Sequence, residues 1–243
     1  MRYGVFGDIH GNLEALEAVV ADAESQGVDA YVCSGDIVGY GANPRECVAR
    51  VRELTTHIVA GNHDCAVTER ADIEYFNLYA RQAVLWTAAQ LGEEERTFLR
   101  ELPLTDELDG FTLVHATVHE PALFGYIESA VAARLSFEAL RTRLAFVGHS
   151  HVPVTFFFEE GAEEVWFSQD AAIPLENFSQ TIVNIGSVGQ PRDDNPQACY
   201  AVYDAGQRTV AIRRVPYDVE TAKRKILDAG LPEILAARLV LGR

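Results

Sequence analysis

Gly148-His149-Ser150-His151 closes the apolar run Leu144-Ala145-Phe146-Val147 and sets two imidazoles one residue apart, just past a strand-like segment. Such spacing lets two rings reach neighbouring points above the end of a sheet, a geometry suited to holding a pair of metal ions. Alone, a His-x-His pair fits an ordinary turn as well. Four other apolar runs end in the same kind of residue. Tyr3 to Phe6 leads to Asp8 and His10, Ala30 to Cys33 leads to Asp36, Ile58 to Ala60 leads to Asn62 and His63, and Phe111 to Val114 leads to His115. Taken singly, Asp8 reads as a helix cap or turn residue, Asn62 as a turn residue and His115 as a strand-end histidine. Five such endings together are hard to explain as core filling. They supply two carboxylates, one amide oxygen and five imidazoles, with no thiolate in register. That inventory suits two divalent transition-metal ions in mixed nitrogen and oxygen coordination. Mn²⁺ is the first choice, with Fe, Zn²⁺, Ni²⁺ or Co²⁺ also fitting, whereas Ca²⁺ and Mg²⁺ normally avoid so many imidazoles.

The elements that must position these residues follow from periodicity. Leu13, Leu16, Val19 and Val20 are spaced for an amphipathic helix after the first run, and Pro44 opens a second helix carrying Val48, Val51 and Leu54. The order β, α, β, α, β over the first sixty residues predicts a parallel, doubly wound sheet, with the ligand types at the carboxyl ends of its strands. Glycines at 7, 35, 61 and 148 allow sharp turns before four of the five groups. Tyr75 to Leu91 predicts a helix burying Tyr75, Leu78, Tyr79, Leu85, Trp86 and Ala89. The acidic run Glu93 to Glu95 opens another helix, and a further one covers roughly 130–143. Beyond His151, strand-like segments at 155–158, 164–167, 181–184, 199–203 and 209–212 predict an antiparallel sheet, followed by a helical tail from 218 to 241 interrupted near Gly230-Leu231-Pro232. Residues 1–243 are read as a single domain, an α/β protein of two sheets covered by helices. Phe156 to Phe158 reads either as an edge for a second copy or as alternating core residues, so the oligomeric state stays open.

Composition narrows the partners. The 243 residues are 48% hydrophobic and 23% charged, as in a globular chain, and the net charge of −16 disfavours long nucleic acid held by a phosphate-neutralising surface. Small anions remain possible where bound cations supply the local charge. Cys33, Cys47, Cys65 and Cys199 show no Cys-x-x-Cys spacing and read as reduced thiols in a cytoplasmic protein. Neither a signal peptide nor a membrane-spanning run is expected.

The ordered blocks Asp8-Ile9-His10, Gly35-Asp36, Gly61-Asn62-His63-Asp64, His115 and Gly148-His149-Ser150-His151 resemble the calcineurin-like metallophosphoesterases, whose pattern they match without a substituted ligand. Asn184 to Arg192 is similar to the tail of the small bacterial and archaeal, phosphodiesterase-like members. The resemblance implies a four-layer α-β-β-α sandwich of two mixed sheets. It also implies one metal held by Asp8, His10, Asp36 and His151 and a second by Asp36, Asn62, His115 and His149, with Asp36 bridging. By the same resemblance His63 contacts the phosphoryl group or protonates the leaving oxygen, and Asp64 holds the His63 ring in its useful tautomer. Two such cations with two carboxylates and a bridging hydroxide leave a core of about +1, so an acidic protein can still draw in a phosphate ester.

Residues around the mouth are read two ways. Asn12 contacts substrate from the first helix turn or caps that helix. His119 and Arg192 bind a second phosphate or a base, or belong to surface loops; Cys65 receives no catalytic role. The function expected is hydrolysis of small phosphate mono- or diesters, of nucleotide or dinucleoside polyphosphate type. The alternative is a nucleotide- or partner-binding module that retains the metals with little catalysis, for which a missing ligand would have been the signature. An amidohydrolase barrel needs more βα units than the chain offers.

Overall fold

Strand β1 (Arg2–Phe6) divides its side chains between two packing layers: Tyr3 and Val5 enter one apolar cluster and Phe6 another. This period-two alternation is what a strand buried on both faces requires. The computed structural model describes residues 1–108 and 110–243. After β1 come α1 (Leu13–Ser25), β2 (Ala30–Cys33), α2 (Pro44–Leu54), α3 (Asn62–Val67), α4 (Leu78–Gln90), α5 (Glu93–Glu101), β3 (Thr105–Leu108), β4 (Phe111–Val114), α6 (Ala130–Ala139), β5 (Leu144–Val147) and β6 (Val154–Phe158). The chain continues through β7 (Trp166–Ser168), β8 (Ala172–Pro174), β9 (Gln180–Asn184), β10 (Ala198–Asp204), β11 (Thr209–Val215), α7 (Val219–Asp228) and α8 (Glu233–Leu241).

Two mixed sheets result. One runs β2-β1-β10-β11-β8 and the other β3-β4-β5-β9-β6-β7. In the first, β1 and β2 are parallel, from Tyr3 opposite Ala30 to Phe6 opposite Cys33, and every other pair is antiparallel. In the second, β4, β5 and β9 are parallel neighbours flanked by antiparallel pairs. Tyr3, Val5, Tyr203, Phe111, Phe146 and Val183 share one cluster, so the inner faces of the two sheets pack on each other. Leu16, Val19 and Val48 of α1 and α2 cover the outer face of the first sheet through Phe6 and Tyr200. Ala133 and Phe137 of α6 cover the second through Val114, Ala145 and Ile182. The layers are therefore α-β-β-α.

Several expectations are corrected. The ligand-bearing runs do not belong to one parallel sheet: β1 and β2 lie in one sheet, β4 and β5 in the other. The run at 58–60 makes only an isolated bridge from Ile58 to Cys33, because the amide of Ala60 turns instead to the Pro103 carbonyl at 2.7 Å. The late strands are shared between both sheets, since β10 inserts beside β1 and β9 beside β5. Strand β6 lies between β9 and β7, so Phe156 and Phe157 are core residues and not an edge. The helix predicted from Tyr75 begins at Leu78, capped by Asn77, and buries Ala80, Ala83, Val84 and Thr87. Tyr75, Leu78, Tyr79 and Leu85, expected inside, are exposed.

Candidate metal centre

The turns that follow β1, β2 and β5 are strained. Asp8, His10, Asp36, His149 and His151 all have φ between 49° and 68°. A non-glycine residue in this left-handed region costs roughly 1–2 kcal/mol, and such strain persists only where the surroundings fix it. The surroundings here are a mesh of backbone bonds. The amides of Asp8, Ile9 and His10 donate to the carbonyls of Gly35 and Asp36, each at 2.9 Å, and the amide of Gly148 donates to the His115 carbonyl at 2.8 Å. Across the two sheets, the His149 amide donates to Asp8 Oδ2 at 3.0 Å. Glycine is required at 61 and 148 for room more than for turning. A Cβ on Gly61 would lie 2.0 Å from Asp36 Oδ1, and one on Gly148 would lie 2.2 Å from Asp8 Oδ2.

Three groups of potential ligand atoms converge: Asp8, His10 and His151; His10, Asp36 and His63; Asp36, His115 and His149. All seven residues of these groups are buried, and His10 and Asp36 each belong to two of them. Asp36 Oδ2 lies 3.5 Å from His10 Nε2 and 3.4 Å from His115 Nε2, so a single oxygen faces both sides. Its other oxygen accepts the His63 amide. Asn62 joins the second side, its Oδ1 lying 3.2 Å from His115 Nε2.

Carbonyl oxygens fix three ring orientations. Nδ1–H of His10 donates to Val38 at 3.2 Å, that of His115 to Ser34 at 2.8 Å and that of His151 to Gln190 at 2.6 Å. The Nε2 lone pairs are thereby turned inward, as ligation requires. Those of His10 and His151 stand 3.0 Å apart with no proton to share in the neutral rings. Two acceptors so placed, beside a carboxylate at 3.1 Å from His151, fit a cation. On the other side His149 offers Nδ1, 3.2 Å from His115 Nε2, while its Nε2 is buried without a partner.

Electrostatics sort these groups. Burial raises the carboxyl pKa of Asp8 and Asp36, but the imidazoles outweigh it, chiefly His151 for Asp8 and His115 for Asp36. Both carboxylates end below their ordinary value. Burial also opposes a charge on His115, yet Asp36 and then Asp8 raise it to about 9. For His149 and His63 burial prevails and lowers them to about 3 and about 4, with His115 adding repulsion at His149. His10 is likewise held well below its ordinary value, mainly by burial.

The remaining predicted residues separate clearly. His63 lies in α3 and packs against Tyr40, His10 and Phe76 with ring centroids 4.5, 4.7 and 5.0 Å away. Asp64 does not orient it. Asp64 Oδ1 accepts from the amides of Ile37 and Val38 and Oδ2 from that of Gly61, while His63 Nδ1 has no partner. The pairing is corrected because α3 turns the two side chains to different sides, His63 to a cleft and Asp64 to the backbone of the 35–38 turn. Asn12 is a cap and a tie: Oδ1 accepts from Ala15, and Nδ2 donates to the Gly189 carbonyl and the Tyr217 hydroxyl. His119 pairs with Ser136 Oγ at 3.1 Å, and belongs neither to the ligand groups nor to the cleft lining. Arg192 does approach the centre. It donates to Gln190 Oε1 at 3.0 Å and stands over the Tyr40 ring at 5.8 Å, and its Nε is buried without a partner. Burial lowers the pKa of His151 and His63, and the Arg192 charge adds to it. Cys65 is buried with its thiol raised to about 12, chiefly by burial, consistent with an inert core residue.

Sequence reasoning missed an aromatic collar. Tyr126 stacks on His149 with centroids 4.1 Å apart, Phe124 lies 6.0 Å from His115, and Tyr40 and Phe76 flank His63. A cleft of ≈ 530 Å³ opens beside them, with Asn62, His63 and His149 in its lining. Nothing in the spacing of these aromatics distinguishes them from core residues. No helix among the described residues is long and apolar enough to cross a membrane.

Comparison with known proteins agrees with this architecture. Residues 1–208 match the calcineurin-like phosphoesterase superfamily domain. An uncharacterised protein of Methanocaldococcus jannaschii is 40% identical over 244 residues, covering 98% of this chain and 97% of the relative. The crystal structure of a metallophosphoesterase from Sphaerobacter thermophilus superposes with a TM-score of 0.90 at 40% identity, covering 100% of this chain and 99% of that one. A hypothetical protein from Pyrococcus horikoshii shares the fold, with a TM-score of 0.79 at 21% identity over 100% of this chain and 98% of its own. By match, identity and architecture, the chain belongs to the calcineurin-like phosphoesterase superfamily.

Proposed function

We propose that the protein is a dinuclear metal-dependent phosphoesterase acting on small phosphate monoesters or diesters. The observation that carries the reading is the position of Asp36 Oδ2 between two ligand sets, one on the His10 side and one on the His115 side. Asp8, His10, Asp36 and His151 would hold one ion, and Asp36, Asn62, His115 and His149 the other. When bound, the ions supply positive charge for the phosphoryl oxygens and a nucleophile from water near neutral pH.

The chain's own residues do the rest. His63, neutral at pH 7 because burial lowers its pKa to about 4, faces the cleft and donates a hydrogen bond from its ring N–H to a phosphoryl oxygen. Arg192 adds a fixed cation at the mouth, with Gln190 and Tyr40 holding its guanidinium. Tyr126 restrains the His149 ring by stacking. The net charge of −16 supports small esters over long nucleic acid.

The test is hydrolysis of bis-p-nitrophenyl phosphate beside p-nitrophenyl phosphate by metal-free protein reloaded with Mn²⁺, Zn²⁺, Ni²⁺, Co²⁺ or Fe²⁺. Turnover that requires metal and is lost in Asp36→Asn and His63→Ala supports the enzyme. Two bound ions without turnover of either ester would overturn it and favour a binding module.

A further inference from the structure

We propose that the ≈ 530 Å³ cleft seats a planar aromatic group, a nucleobase, carried by the ester whose phosphoryl group lies on the cleft floor. The placement of the phosphoryl group rests on the phosphoesterase reading; the recognition of the ring rests on the cleft itself. Its floor contains Asn62, His63 and His149, so an occupant of the centre extends directly into it. Tyr75 and Phe76 form one wall, ahead of α4. Leu123 and Tyr126 form another, on the segment between β4 and α6.

The walls carry apolar surface that folding leaves uncovered. Tyr75 is 91% exposed and Leu123 70% exposed. A scattered exposed apolar residue needs no explanation, but apolar side chains lining a concavity that leads to convergent polar groups mark a ligand site. Polar groups along the same wall are each engaged through one atom. Asn77 Oδ1 accepts from the amides of Tyr79 and Ala80, Asp72 Oδ1 accepts from that of Glu74, and Arg70 Nη1 donates to the carbonyls of Arg100 and Leu102. The nearby cation Arg192 is absent from the lining. The cleft thus offers rings and aliphatic surface, with Arg70 the single Lys or Arg in its lining. Aromatic rings in both walls match the π-face of a base better than an alkyl chain, and stacking on them tolerates any base.

The test compares the non-hydrolysable methylene phosphonate isosteres of adenosine 5′-phosphate and glycerol 3-phosphate by calorimetry on Mn²⁺-loaded protein. The two carry the same charged group and differ in the nucleoside. The adenosine compound is expected to bind at least ~10-fold more tightly, and the Tyr75→Ala, Leu123→Ala double variant to reduce that ratio at least ~5-fold. Equal affinities in the parent protein, or a ratio unchanged in the variant, would overturn the proposal. Tyr75→Ala alone reads the same ratio if the double variant fails to fold, since that side chain is almost wholly in solvent. Hydrolysis is scored separately. Selectivity without turnover of any ester keeps the base site and removes the phosphoesterase, whereas turnover without selectivity does the reverse.

Discussion

The backbone amide of His63 donates to Asp36 Oδ1 at 2.8 Å, so the shared carboxylate also fixes the start of the helix that carries the proposed phosphoryl contact His63. An Asp36→Asn variant can keep this bond through its amide oxygen while losing the charge between the ligand sets. The fold is therefore expected to survive, at least one ion to be lost, and kcat/KM to fall by roughly 100-fold or more. Elemental analysis of the dialysed variant alongside kinetics checks both effects.

Gly39 supports His63 from beneath. A Cβ there would lie 2.3 Å from His63 Nδ1, on a backbone with φ of 98°. Gly39→Ala is expected to cost about 1–2 kcal/mol of stability and to displace the ring. The expected fall in kcat is roughly 10- to 100-fold with metal content unchanged, because none of the proposed ligands is altered. Thermal unfolding, turnover and metal analysis distinguish this result from general collapse.

Loading the centre should release protons. In the metal-free chain His115 has a pKa of about 9 and is charged at pH 7.5, whereas a ligating imidazole must be neutral. About one proton per chain is expected to leave from this residue at pH 7.5, and metal affinity is expected to weaken as pH falls. A raised histidine pKa stabilises the folded state fully below its unfolded value near 6.5, and that contribution disappears as pH rises through 9. Metal-free protein should therefore lose stability between pH 7 and 9 while loaded protein does not. Calorimetry in buffers of different ionisation enthalpy counts the protons, and melting curves across this range check the stability.

Asn12 and His119 separate structure from chemistry. Asn12→Ala removes the cap of α1 and two further bonds, with an expected cost of about 1–2 kcal/mol and no change in KM. His119→Ala is expected to change neither kcat nor KM, because the ring is engaged with Ser136 outside the cleft. Unfolding and steady-state kinetics on both variants test the assignment.

The five motif blocks were legible because a ligand type at the end of an apolar run leaves a local mark in sequence, as Asp8, Asp36 and His151 show. Their division between two sheets was not, since it depends on β10 pairing with β1 and β9 with β5 across long stretches of chain. Local spacing also misled at Tyr75 and Leu78: helical periodicity reports a shared face without saying whether it is buried, and here Tyr75 precedes α4 in the cleft lining while Leu78 is exposed. The pairing of Asp64 with His63 was implied by the resemblance alone, and α3 sends the two neighbouring side chains to different sides.

Strand β1 has β10 as a neighbour, and the Asp8 carbonyl accepts from the Gly189 amide and Ser187 Oγ while His151 leans on the Gln190 carbonyl. A nascent chain ending at Asn184 holds every predicted ligand and lacks the segment that clasps two of them. Possession of the ligand types is thus not possession of the centre: a remote segment of the chain holds the Asp8 backbone and the His151 ring in place.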